Sequence, residues 1–152
     1  MSSNAESKIE VNICEMTEED IEGVLAIGRK TIGTDRVQTY AVGPDSDVGG
    51  ELGVSMVAEV TGEIVGFLLG QIIDSLYGVG DAAWGRLIGL DSRYRRQGIV
   101  NRLTQGFVES CQRRGAQSVH IMVRWHDGSL VSFLRSLGFD RGERAEFIKP
   151  II

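Results

Sequence analysis

Apolar residues recur along this chain with two different spacings, and the switches between them predict its elements. Ile9-Glu10-Val11-Asn12-Ile13 alternates with a period of two, which predicts a strand with one apolar face. Thr17-Glu18-Glu19-Asp20 then supplies an N-cap threonine and an acidic first turn, and Ile21, Val24, Leu25 and Ile32 follow on one helical face. Between Gly33 and Leu52 the pattern lapses: four glycines and Pro44 predict a loop at Gly43–Gly50, with a short helix at Thr34–Val42. Ser55–Val60 and Glu63–Ile73 are β-type runs on either side of Thr61-Gly62, a hairpin signal, and Asp74–Asp81 (DSLYGVGD) is a second flexible loop.

The stretch from Trp84 to Gly115 organises the rest. Leu87-Ile88-Gly89-Leu90 reads as a short buried strand bounded by Asp91-Ser92. Ile99, Val100, Leu103, Phe107, Val108 and Cys111 have helical spacing, and Arg113-Arg114-Gly115 is suited to the negative end of that helix. Ser118–Arg124 alternates again, a strand long enough to cross a sheet. Asp127 caps a helix that buries Leu130, Val131, Phe133, Leu134 and Leu137 and stops at Gly138. Phe139–Arg141 and Ala145–Lys149 are expected to form a hairpin ended by Pro150. The order is β α (α) β β β α β α β β, with a parallel, right-handed βαβ crossover at its centre. The fold class is α/β (α+β): a mixed, mostly antiparallel twisted sheet with helices on both faces.

The 152 residues are one domain's worth of chain, expected as a disordered tail over 1–8 and a single domain over 9–152. No apolar run reaches the ~20 residues that span a bilayer, and Met1–Lys8 lacks the apolar core of a signal peptide, so the expected location is the cytoplasm. Cys14 and Cys111 stand without CxxC or His/Cys ligand spacing, which suggests neither a disulfide framework nor a metal site. The net charge of -5 argues against nucleic acid as a partner.

Candidate chemistry gathers where the central helix begins. Its first turn, Arg95-Arg96-Gln97-Gly98-Ile99-Val100, presents unpaired amides, and Gly98 lets another group approach the backbone closely. Arginines at 93, 95, 96 and 102 make this locality basic in an acidic chain, so the turn suits an anion such as phosphate.

These residues resemble the GCN5-related N-acetyltransferase (GNAT) family. Its signature, R/Q-x-x-G-x-G/A after a strand, is matched by Arg95 and Gly98, with Val100 replacing the last small residue. Ser132-Phe133-Leu134-Arg135-Ser136-Leu137-Gly138-Phe139 is similar to the family's helix ending in Leu-Gly-Phe, and the resemblance runs from about Ile9 to Pro150. It implies the family's fold and transfer of the acetyl group of acetyl-CoA to a primary amine by direct attack, with no metal. The implied cofactor residues are Ile88 and Leu90 through main chain, Arg95, Arg96, Gln97, Gly98, Ile99, Val100 and Asn101 at the pyrophosphate, and Asp127. A small-molecule or peptide amine would be the acceptor, entering between the loops at 33–52 and 74–81, where Arg36, Tyr40 and Asp45 are candidate contacts. No membrane partner is implied, and a homodimer is open because dimers are common in the family.

The acid–base residues depart from the family's better-known members. Where N-terminal protein acetyltransferases carry a glutamate, an asparagine and a tyrosine, this chain has Met122, Asp127 and Leu134, and Trp84 stands near the glutamate position of other branches. The catalytic residues are therefore unassigned. A general base contributes about 10²–10⁴ in rate, so its loss favours an acceptor of low basicity or a base from the loops, with Asp74, Tyr77, Asp81 and Tyr40 as candidates. His120 and His126 are expected to be structural. A CoA-binding regulatory module with lost or weak catalysis is the alternative.

Overall fold

The computed structural model describes residues 9–31, 52–73, 81–123 and 126–152, in two compact units divided after Met122. The first holds a single sheet of strands β1 (Asn12–Glu15), β2 (Met56–Val60), β3 (Glu63–Ile73), β4 (Ala82–Leu90) and β5 (Ser118–Ile121), side by side in chain order. Neighbours are antiparallel except β4 and β5, which are parallel and joined through helix α2 (Ile99–Arg113). Helix α1 (Ile21–Thr31) packs on β3 and β4, and α2 crosses β1, β2 and β3.

The strand period sorts side chains to the two helices. Val57, Phe67 and Leu69 meet Val24 and Ile27 of α1, whereas Met56, Ala58 and Leu68 meet Ile99, Leu103, Phe107 and Cys111 of α2. Two bulges reset this alternation. The register passes from Ala58↔Gly66 to Glu59↔Ile64, leaving Val65 as an extra residue in β3, so Ile64 packs on the same side as Phe67. It also passes from Leu69↔Leu87 to Gly70↔Gly85, leaving Arg86 as the extra residue in β4. Ala83 before that bulge and Ile88 and Leu90 after it therefore face α2 together. At this second bulge the Ser55 hydroxyl accepts from the Gly70 N–H at 3.1 Å. Gly70 has no room for a side chain, because a Cβ there would run into the Phe107 ring and lie 2.7 Å from the Trp84 carbonyl oxygen.

Several sequence expectations are corrected. β1 begins at Asn12, not Ile9, because this edge strand pairs only with β2 and reaches its far end at Asn12↔Glu59. In α1 the buried residues are Val24, Ile27 and Gly28, with Leu25 half-buried; the helix is described to Thr31, so Ile32 lies outside the described residues. β4 starts at Ala82 rather than Leu87, since pairing with Ile72, Ile73 and Ser118 overrides the poor strand propensity of alanine. β5 is only Ser118–Ile121 and half-buried; it stops level with Gly85, just before the bulge bends β4. The expected loops and short helix over 33–51 and 74–80 lie outside the described residues.

In the second unit, helix α3 (Gly128–Ser136) starts at Asp127, whose carboxylate accepts from the Leu130 N–H at 3.1 Å. It ends where the Phe139 N–H reaches the Leu134 carbonyl past Gly138 at φ +95°. Of its five expected core residues only Leu134 is buried. The hairpin expected at Phe139–Arg141 and Ala145–Lys149 is not formed: residues 139–152 contain no strand. Two short strands without a third are marginal in water, and Phe147 and Ile148 stay exposed rather than packing into a shared apolar face.

Candidate functional site

The bulge at Arg86 sets up the site. Pairing of β4 with β5 runs from Ala82↔Ser118 to Gly85↔Ile121 and goes no further among the described residues. Beyond it, β4 continues to Leu90 paired with β3 on its other edge. The Asp91 N–H donates to the Val65 carbonyl at 2.8 Å, so backbone groups at odd positions 89 and 91 face β3. Those of Ile88 and Leu90 alternate with them and face the edge that β5 leaves uncovered. An extended ligand carrying amides could continue the sheet there.

Asp91 closes the strand and starts the turn. Only 4% exposed, it holds Arg93 three ways: Oδ1 accepts from the Arg93 backbone N–H (3.0 Å) and Nε (3.1 Å), and Oδ2 from Nη2 (2.8 Å). Lys30 Nζ stands 3.8 Å from Oδ2. The Arg93 side chain first, and then its backbone N–H, hold the Asp91 carboxyl far below the usual carboxylate range. The expected cluster of four arginines is thereby divided. Arg93 belongs to Asp91, and Arg102 lines a separate groove of ≈ 340 Å³ with Ile13, Cys14 and Met56, which leaves Arg95 and Arg96 exposed on the turn.

The turn itself has left-handed backbone at Arg96 (φ +63°) and at Gly98 (φ +75°), the N-cap of α2. Successive amides in such a turn form an anion-binding concavity. The first helical bond is Arg102 N–H to the Gly98 carbonyl at 3.1 Å, so the N–H groups of Ile99, Val100 and Asn101 have no acceptor within the helix. A Cβ built on Gly98 meets nothing within 4 Å, which leaves the space above the turn open. Ile99, 1% exposed, anchors the helix start in the core, while Val100 is half-buried. Asn101 Oδ1 is shielded from solvent without a hydrogen-bond partner.

The structure thus brings Ile88, Leu90 and residues Arg95–Asn101 into one continuous run of edge and turn. Asp127 belongs to the other unit, where its carboxylate caps α3. Arg36, Tyr40, Asp45, Asp74 and Tyr77 lie outside the described residues. Asp81 is described, but it precedes β4, and five residue steps, about 16 Å of strand, carry the chain from it to the bulge. The Asp81 carbonyl instead accepts from the Gln117 N–H at 2.9 Å. His120 stacks on Trp84 with ring centroids 4.5 Å apart and bonds Ser118 Oγ at 2.8 Å, a structural placement, although its strand is half-buried rather than buried. His126 is exposed.

Sequence reasoning missed a cavity beside the bulge. Gln71 and Ile73 of β3, Trp84, Gly85 and Arg86 of β4, and Met122 line an open depression of ≈ 400 Å³. Arg86 Nη1 donates to Gln71 Oε1 at 3.1 Å, and Met122 is 68% exposed. These residues meet through strand register, and spacing along the chain carried no signal of it. Among the described residues, no helix is long and apolar enough to cross a membrane, and no group of three or more His, Cys, Asp or Glu could hold a metal ion.

Solved structures share this architecture. The aminoglycoside N-acetyltransferase AAC(6')-Iy, solved with a bisubstrate analog, CoA-S-monomethyl-acetylneamine, superposes with a TM-score of 0.74 at 14% identity, covering 94% of this chain and 99% of that one. A transcriptional regulator from Bacillus halodurans C-125 gives 0.69 at 21%, covering 94% and 100%. The ribosomal-protein-S18-alanine N-acetyltransferase from Escherichia coli gives 0.68 at 17%, covering 88% and 79%. At these identities the likeness shows the fold. No curated protein matches in sequence. The profile of the Acetyltransferase (GNAT) family, however, matches residues 31–139, which span β2 to α3 and contain the uncovered strand edge and the left-handed turn at Arg96–Gly98. The chain belongs to the GNAT acetyltransferase family.

Proposed function

We propose that the protein is an acetyl-CoA-dependent N-acetyltransferase that acts on a primary amine. The observation that carries this reading is the continuity of the uncovered β4 edge at Ile88 and Leu90 with the left-handed turn at Arg96–Gly98. One ligand with amides at one end and a pyrophosphate at the other fits both. The AAC(6')-Iy neighbour was solved with a CoA-containing analog.

The chain's own groups divide the work. The N–H groups of Gly98, Ile99, Val100 and Asn101 would hold the pyrophosphate, with the guanidinium groups of Arg95 and Arg96 adding charge. Arg96 in left-handed backbone costs on the order of 1–2 kcal/mol, strain of the kind that collects at ligand-binding turns. Ile88 and Leu90 would pair through main chain and orient the arm along β4. Bound acetyl-CoA supplies the activated acetyl carbonyl. The acceptor's amine nitrogen attacks that carbon, the N–C bond forms as the C–S bond breaks, the sulfur leaves as CoA thiolate and the amine proton passes to solvent. Met122 and Leu134 carry no proton, so positioning and backbone polarisation supply the rate, and acceptors with an appreciable neutral fraction at the working pH react best. The cytoplasm, where acetyl-CoA is available, is the proposed location.

The test is thermal unfolding with acetyl-CoA, with CoA and a salt-matched blank as controls. Stabilisation that is lost in Arg96→Glu supports the reading. An absence of stabilisation at millimolar acetyl-CoA refutes it, and stabilisation without acetyl transfer to any amine in a broad panel favours a CoA-binding regulatory module.

A further inference from the structure

The cavity at the β4 bulge bears on the acceptor. It opens where β5 pairing ends, which is also where the uncovered edge begins, so a group carried along Ile88 toward the bulge arrives at its wall. Trp84, Ile73 and Met122 make that wall apolar. The Trp84 ring is held in plane by His120, which is itself tethered to Ser118. Its polar groups are Gln71 and Arg86, and no carboxylate lines it among the described residues. Arg86 projects here because it is the bulged residue of β4. Gln71 accepts from one of its five N–H donors, which orients the guanidinium.

These groups suit one kind of amine. We infer that the acceptor is a small amine bearing an apolar side group, packed on Trp84, Ile73 and Met122, and a carboxylate bound by Arg86. The Arg86 guanidinium opposes a polycation such as an aminoglycoside, which places several ammonium groups in the site. An apolar carboxylated amine instead buries its side group and neutralises Arg86 through a planar, bidentate contact.

This inference rests on the acetyltransferase reading, and the experiment separates the two. Acetyl transfer is followed by the acetylated product with L-phenylalanine and L-leucine, with their carboxamides, and with neamine, while acetyl-CoA binding is read from the melt. The expected result is a kcat/KM for the free acids at least about tenfold above that for the amides, the worth of one charge-assisted hydrogen bond, with neamine poorest. In Arg86→Gln the preference for acid over amide collapses through KM, and the acetyl-CoA shift in the melt shows that the variant is folded. Equal or better turnover of neamine or the amides, or no turnover of either acid, overturns the inference and leaves the cofactor site standing. Absence of an acetyl-CoA shift in the wild type overturns both.

Discussion

Gly98→Leu separates the turn's role in binding from its role in folding. A Cβ at 98 meets nothing within 4 Å, so the new side chain leaves the backbone into open space. What remains is the φ of +75°, which costs an L-residue about 1–2 kcal/mol. For a domain of this size each kcal/mol moves Tm by roughly 2–4 °C, so the variant melts about 2–8 °C below wild type. Acetyl-CoA at a hundred times its dissociation constant stabilises the wild type by about 2.7 kcal/mol, or about 5–11 °C on the same scale. In the variant the leucine fills the space above the turn amides, and the ligand shift disappears. The assay is a melt of both proteins over an acetyl-CoA titration. A variant that keeps the full ligand shift refutes the placement of the pyrophosphate on this turn. One that melts far below the expected interval refutes the claim that Gly98 is needed for the ligand rather than for packing.

Other consequences follow from single residues. Asp91 is held below its ordinary pKa by Arg93, so its contribution is complete above the unfolded carboxyl value near pH 4 and is lost as pH falls through the folded value. Asp91→Asn should therefore lower Tm at pH 7, and the gap to wild type should narrow progressively as melts are taken from pH 4 toward pH 2. A gap constant with pH would refute the ion pair. Phe107, fully buried against Gly70, is the central side chain under α2, and Phe107→Ala should cost about 3–5 kcal/mol by urea denaturation. Burial first and Glu59 second push the Cys14 thiol up. Alkylation of the native protein at pH 7.5 should therefore be slower than for a free thiol and accelerate as pH rises, with the buried Cys111 reacting only after unfolding.

Amino-acid order alone determined those features whose physics is local. The β-type run Glu63–Ile73, the turn at Thr61-Gly62 and the 3.6-residue recurrence of Ile99, Leu103 and Phe107 each depend on neighbours within a few positions. So does the left-handed turn at Arg96–Gly98, since helix-start amides beside a glycine are set by adjacent residues. Tertiary structure decided what depends on partners far along the chain. Where β5 stops, and hence that the Ile88 and Leu90 groups face an uncovered edge, follows from the extra residue at Arg86, and a bulge is invisible until two strands are paired. The Asp91–Arg93 clasp left only a two-residue spacing in the sequence, and its consequence, dividing the arginines, appears only with Asp91 buried under Val65 and near Lys30. The expected C-terminal hairpin failed for the same reason: Phe139–Arg141 and Ala145–Lys149 have strand-like residues, but a strand exists only where another element pairs with or covers it. Gln71 and Arg86, 15 residues apart, share a hydrogen bond because β3 and β4 pair in this register, and that register also turns Trp84 and Ile73 into the walls of one cavity.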